Sequence, residues 1–205
     1  MQDLIVLCAD LDMKLGIGAL LARSQHLGFH TIDFQVYTHD MRDPGVFQRA
    51  HDFLRPQCNR FSNAIAMCDF DGCGKERLLP REQIEARIEQ RLQSNGWEGR
   101  AAAVVIGPEL EAWVWGDWRA LAEQADWSGG EASLRSWLIE RSLIKEHQAK
   151  PDRPKESLRR VLRQTNKSLS SALFAALGGM ADTTSCTDPA FAKLVSQLQK
   201  WFPPR

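Results

Sequence analysis

Three short, uninterrupted apolar runs most constrain this chain, because each stops at a pair of acids. Residues 4–8 run into Asp10 and Asp12, residues 64–68 into Asp69 and Asp71, and residues 101–106 into Glu109 and Glu111. A run of five or six apolar residues without alternation suits a strand buried on both faces. Such strands belong to parallel sheets covered by helices. The segments between the runs carry helical spacing. Leu15, Ile17, Leu20 and Leu21 mark a helix that Gly28 closes; Phe47, Ala50, Phe53 and Leu54 mark another over 46–61, which Pro56 ends or kinks. Pro80 opens a third at the favoured first position, and Ile84, Ile88 and Leu92 carry its apolar face to Gly96. Residues 30–38 alternate instead, with Ile32, Phe34 and Val36 on one face, as a half-buried strand does. The predicted fold class is α/β: a mostly parallel four-stranded sheet flanked by helices, with an α-helical C-terminal part.

Open sheets of this kind place their sites beyond the carboxyl ends of the strands. The three acidic pairs would then share one rim. Asp69 and Asp71 stand at i and i+2, so an extended backbone would point both the same way, and Gly72 and Gly74 follow at once. Two converging carboxylates stay ionised only beside positive charge. A hard divalent cation, Mg²⁺ or Mn²⁺, with oxygen ligands is the expected occupant. A solvated loop is the alternative for any one pair taken alone.

Composition removes several classes. With 205 residues, 43% of them apolar, the chain can bury a real core, and its formal charge of zero exerts no global pull on polyanions. No apolar run approaches the roughly 20 residues of a membrane span. Met1-Gln-Asp-Leu lacks a basic leader, so a signal peptide is not expected and the expected location is the cytoplasm. Of five cysteines, Cys8 and Cys68 lie inside apolar runs and read as core thiols. Cys68 and Cys73 straddle the aspartates without a second Cys or His pair at zinc spacing.

Past residue 117 the character changes. Trp113, Trp115, Trp118, Trp127 and Trp137 fall within 25 residues and read as subdomain packing rather than base stacking. Helices are expected over 131–147, 168–177 and 188–201, the last with Asp188 as its N-cap and Pro189 in its first turn. Residues 141–167 carry nine Lys or Arg against three acids, and the chain as a whole sums to zero, so the remainder is acidic by the same six charges. An acidic site beside a basic track suits a phosphate backbone, with Arg153, Lys155, Arg159, Arg160 and Arg163 as candidates and Lys75, after the aspartates, as another. A solvated helix face is the alternative.

An acid after the first strand and Asp-x-Asp after a later one resemble the Toprim fold, shared by topoisomerases, primases and nucleases of bacterial defence proteins. Asp10 stands where most relatives carry Glu, and Asp69 and Asp71 form the Asp-x-Asp. The stretch Ile106-Gly-Pro-Glu-Leu-Glu-Ala-Trp113 resembles the proline, acid, tryptophan signature of small Toprim-like proteins in anti-phage defence loci, which places the family acid on Glu111. The layout is similar to a small component of the methylation-associated defence systems. The resemblance implies a Toprim-like domain over 1–117 with a helical extension over 118–205. It also implies a Mg²⁺ held by Asp10, Asp69, Asp71 and Glu111, phosphodiester cleavage, and partners among other defence proteins. Asp10 could act as general base in place of the usual Glu. The alternative is a catalytically inactive Toprim-shaped interaction subunit. The single tyrosine, Tyr37, lies in a strand pattern, which argues against strand passage through a tyrosine nucleophile. Asp-Phe-Asp-Gly also resembles the nucleophile loop of haloacid-dehalogenase-type phosphatases, but it follows a late strand and continues with Cys73. Gly16 and Gly18 lack the third glycine or the Gly-Lys-Ser/Thr ending of a nucleotide loop.

Overall fold

A computed structural model describes residues 1–183 and 186–204. Strands β1 (Gln2–Cys8), β2 (Phe34–Thr38), β3 (Phe61–Asp69) and β4 (Ala101–Ile106) form one sheet in the order β2-β1-β3-β4, and every pairing is parallel. The three apolar runs are its three buried strands. Leu4 to Cys8, Ala64 to Cys68 and Ala103 to Ile106 have no exposed surface, so the two thiols are core residues as expected. The alternating segment is the edge strand β2, half-buried along its length, and it begins at Phe34 rather than at residue 30.

Helices α1 (Leu11–Leu21), α2 (Arg42–Leu54) and α3 (Arg81–Leu92) connect successive strands. Helix α1 starts four residues before the expected Leu15, because Asp10 caps it: its Oδ1 accepts from the Met13 N–H at 3.0 Å. Helix α2 starts at Arg42, inside a segment with turn composition, and Pro56 diverts its end into a 3₁₀ turn, Arg55–Gln57. Pro80 is the residue that enters α3 rather than its first helical residue.

The outer edge of β4 is closed by side chains. Glu85 Oε1 accepts from the Val105 N–H at 2.9 Å and Glu89 Oε1 from the Ala103 N–H at 3.0 Å. Arg81 binds Glu85 at 2.8 Å, and Lys193 bridges Glu85 and Glu89 at 3.1 and 2.8 Å. An exposed strand edge invites pairing with another chain; here two glutamates of α3 satisfy the free donors and two cations offset the buried charge.

Beyond β4 come α4 (Glu111–Val114), α5 (Trp118–Gln124), α6 (Gly130–Glu140), α7 (Pro154–Gln164), α8 (Ser171–Met180) and α9 (Pro189–Trp201). Helix α6 ends seven residues short of expectation. Helix α9 matches expectation, with Asp188 accepting from the Ala190 and Phe191 N–H groups. The tryptophans pack this part together. Trp115 lies 5.1 Å from Trp118 and Trp127 5.0 Å from Trp137 between ring centres, while Trp113 meets Phe191 edge-on at 5.2 Å. Their N–H groups bond Asp188, Pro154 O and Ala149 O, a packing role. Helix α8 crosses α1 where Gly16 and Gly178 meet. Among the described residues, no helix is long and apolar enough to cross a membrane.

Candidate acidic site

The sheet order explains which acids meet. Strands β1 and β3 are neighbours, and β4 lies beside β3, so the residues after their carboxyl ends share one rim. Asp69 is the last residue of β3 and forms the centre. Its N–H donates to Asp43 Oδ1 at 2.8 Å, and its own Oδ1 accepts from the Leu110 N–H at 2.9 Å. One carboxylate thus anchors the strand end and another anchors the β4–α4 loop. The loops are further tied by backbone bonds from Phe70 N–H to Ile106 O at 2.7 Å and from Asp71 N–H to Pro108 O at 2.8 Å.

Burial raises the Asp69 carboxyl well above its usual range, and the charges of Asp43, Glu111 and Asp10 push it further, against the pull of Lys155. Burial likewise raises Asp43, with Asp10 adding to it and the bond from the Asp69 N–H opposing it. Glu111, in the first turn of α4, is 2% exposed; burial raises it too, while Lys155 holds it back. Asp10 and Glu111, two of the other predicted ligands, therefore both act electrostatically on Asp69.

Asp71 is exposed and is not among the charges that act most on Asp69. The strand ends at Asp69, so the alternation that would have aligned the two carboxylates does not continue. The turn through Gly72, at φ +101°, leaves Asp71 exposed. The charges that act most on Asp69 are Asp43, Glu111, Asp10 and Lys155. Asp12 belongs elsewhere as well, accepting from the Ser171 hydroxyl of α8.

Two members escaped the sequence reading. Asp43 sits in the first turn of α2, after β2, in the same carboxyl-end position as the other acids. Its Arg-Asp-Pro-Gly context reads as a turn, and that concealed it. Lys155 was expected on an outer basic track. It lies instead in the first turn of α7 with Nζ 3.0 Å from Glu111 Oε1 and 3.6 Å from Glu109 Oε2. Its N–H donates to Glu109 Oε1 at 3.1 Å. Burial works against its charge, but Glu111, Glu109 and Asp69 outweigh that and hold Lys155 above its usual range.

Among the described residues, no three or more His, Cys, Asp or Glu side chains are gathered into a metal cage. Carboxylate oxygens such as those of Asp10, Asp43, Asp69 and Glu111 are the donor type a hard cation takes, and the counter-charge beside them is the Lys155 ammonium. The remaining basic candidates are spread over the surface. Arg153 and Arg160 both bind Glu156, at 3.1 and 2.9 Å. Arg159 and Arg163 are exposed on α7 without an ion pair among the described residues, and Lys75 is half-buried in the turn after Gly74. No family model matches this chain, and neither does a curated protein or a solved structure.

Proposed function

We propose that this chain is a Mg²⁺- or Mn²⁺-dependent, Toprim-like phosphodiester-cleaving protein of the cytoplasm, acting in bacterial anti-phage defence with other defence proteins. One observation carries the reading. Acids that follow β1, β2 and β4 act on Asp69 at the end of β3, whose carboxyl is driven upward by burial and by these neighbours. Such an arrangement is costly without a cation. Asp10, Asp69 and Glu111, joined by Asp43, would hold the metal. When bound, a divalent cation stabilises charge on a phosphodiester and favours hydroxide over water as the attacking group.

The chain's own residues do the rest. Asp43 orients the Asp69 strand end through its backbone bond, and Asp69 in turn fixes the Leu110 N–H. Lys155 offers an ammonium beside the carboxylates, where a phosphate oxygen would approach. Arg159 and Arg163, exposed on the same helix, supply a backbone track for nucleic acid. Cleavage of single- and double-stranded DNA and RNA should be assayed in Mn²⁺ and in Mg²⁺. Asp69→Asn and Glu111→Gln should each lower cleavage by about 100-fold or more while melting cooperatively. Equal cleavage by wild type and Asp69→Asn would refute the assignment.

A second reading is a Toprim-shaped subunit without catalysis, acting through partners. The Lys155–Glu111 contact at 3.0 Å favours it, because the acids already possess an internal cation. Calorimetry with Mn²⁺ separates the two, since a pure scaffold gives no heat that depends on Asp69.

A further inference from the structure

The two edges of the sheet are finished differently. On β4 the outward N–H groups of Ala103 and Val105 are taken by Glu89 and Glu85. On β2 the register with β1 decides which backbone groups face which way. Leu4 N–H donates to Asp33 O at 3.2 Å and His39 N–H to Cys8 O at 2.9 Å, so Asp33, Gln35, Tyr37 and His39 bond toward β1. The N–H and C=O groups of Phe34, Val36 and Thr38 therefore point away from the sheet, and among the described residues no strand or side chain bonds them. Protein edges are usually blunted by charge, proline or a bulge; residues 34–38 contain no charged residue and no proline. Beside this edge, Tyr37 and His39 pack against Phe53 of α2 at 5.8 and 6.4 Å between ring centres, and all three keep part of their surface open.

We propose that β2 is an interface between two copies of this chain, paired antiparallel about a two-fold axis at Val36 so that one sheet runs through both. The strand is self-complementary in that register. Val36 faces Val36, and Phe34 faces Thr38, of the second copy. These residues carry the free groups, so each facing pair exchanges both backbone bonds. One step further out, Asp33 faces His39 of the second copy. Asp33 is exposed, with one carboxylate oxygen accepting from Gln2 Nε2 at 3.3 Å. Burial keeps the His39 imidazole below its usual range, so the ring is neutral at neutral pH. Met41 N–H donates to its Nδ1 at 3.1 Å, which leaves the ring proton on Nε2, a donor with no acceptor of its own among the described residues. That donor meets the Asp33 carboxylate of the second copy, once on each side of the axis. The match of donor to acceptor across the axis favours a second copy over a strand from another protein. A two-fold pairing is also closed. It consumes both β2 edges, and the β4 edges are already filled, so the assembly stops at two. The proposal does not rest on the acidic site.

The test is sedimentation velocity of the full chain in reducing buffer, from about 1 to 100 µM. Wild type should shift from one chain mass to two within that range; a monomer throughout overturns the proposal. Val36→Pro keeps the bonds to β1, which Gln35 and Tyr37 make, and removes the N–H on the axis from both copies. It should weaken association by about 30-fold or more. Asp33→Lys alone and His39→Asp alone should each weaken it by about tenfold, since each change counts twice. The double variant Asp33→Lys/His39→Asp, which restores opposite partners, should return to near the wild-type value. A dimer that neither Val36→Pro nor Asp33→Lys weakens uses another surface and overturns the proposal. Loss in both single variants without recovery in the double overturns it as well. Should Val36→Pro not fold, the Asp33 and His39 variants decide alone.

Discussion

The contact between α1 and α8 gives the sharpest stability prediction, and it bears on the site because α1 begins at the Asp10 cap. A methyl group on Gly178 would lie 2.4 Å from the Gly16 carbonyl oxygen, 3.2 Å from its carbon and 3.3 Å from Ala19 Cβ. The nearest atom is backbone, so no side-chain rotation relieves the clash, and the helices must part by about 1 Å. A gap of that size forfeits a quarter to a half of each dispersion contact across the interface. Overpacking of this kind costs about 3 kcal/mol at the upper end of its usual range. Replacing a helical glycine by alanine returns about 1 kcal/mol. The net loss for Gly178→Ala is therefore about 2 kcal/mol, or a fall of about 4–8 °C in Tm for a chain of this size. Gly179 is the internal control: a methyl there meets nothing within 4 Å. Gly179→Ala should gain up to about 1 kcal/mol. Differential scanning calorimetry of the two variants measures the difference, about 3 kcal/mol in opposite directions. Equal Tm values for the two would show that the helices do not cross at Gly16–Gly178, and the packing account would fall.

Two further outcomes follow from the buried charges. Asp69 is raised by burial in the folded protein from an unfolded value near 3.8. Above that value the folded state keeps a proton the unfolded chain has lost, so stability falls as pH rises toward the folded value and stays lost above it. Asp69→Asn, whose amide oxygen can still accept from Leu110, should be more stable than wild type at pH 8 in chelator by on the order of 1 kcal/mol or more. The gap should close toward pH 4, and a pH-independent gap in urea melts contradicts the burial account. Glu85→Ala leaves the Val105 N–H, Arg81 and Lys193 without their shared partner and opens the β4 edge. It should cost about 2–4 kcal/mol in urea denaturation and promote self-association by light scattering; a loss under about 0.5 kcal/mol argues that water replaces the carboxylate.

What could be read from the residue string was whatever depends on local pattern. Continuous apolar runs gave up β1, β3 and β4, because strands buried on both faces leave no room for polar side chains. Asp188 and Pro189 located the start of α9, because capping chemistry is local. The unread parts depend on distant partners. Lys155 sits in a run of cations that looks solvated, and its partner Glu111 lies in another helix. Glu85 and Glu89 flank an ordinary amphipathic stripe; only the β4 edge reveals why they are carboxylates. Asp71 lies beyond the reach of strand alternation, which stops at Asp69 where the backbone turns toward Gly72.

A parallel sheet makes a collection of like charges almost unavoidable at one end. Every strand of this sheet finishes at the same rim, and the helix that follows begins there with its positive dipole end and unpaired N–H groups. Acids are favoured at each such position for local reasons: Asp10 caps α1, and Asp43 and Glu111 sit in first turns. The collective cost appears only in three dimensions, where these locally favourable choices raise Asp69 together. Two solutions to that cost exist, an imported cation or an internal one. Lys155, reaching in from α7 in the C-terminal part, is the internal one. A rim with such a lysine carries part of its counter-charge within the chain, and Glu111, Glu109 and Asp69 hold that ammonium charged against its burial.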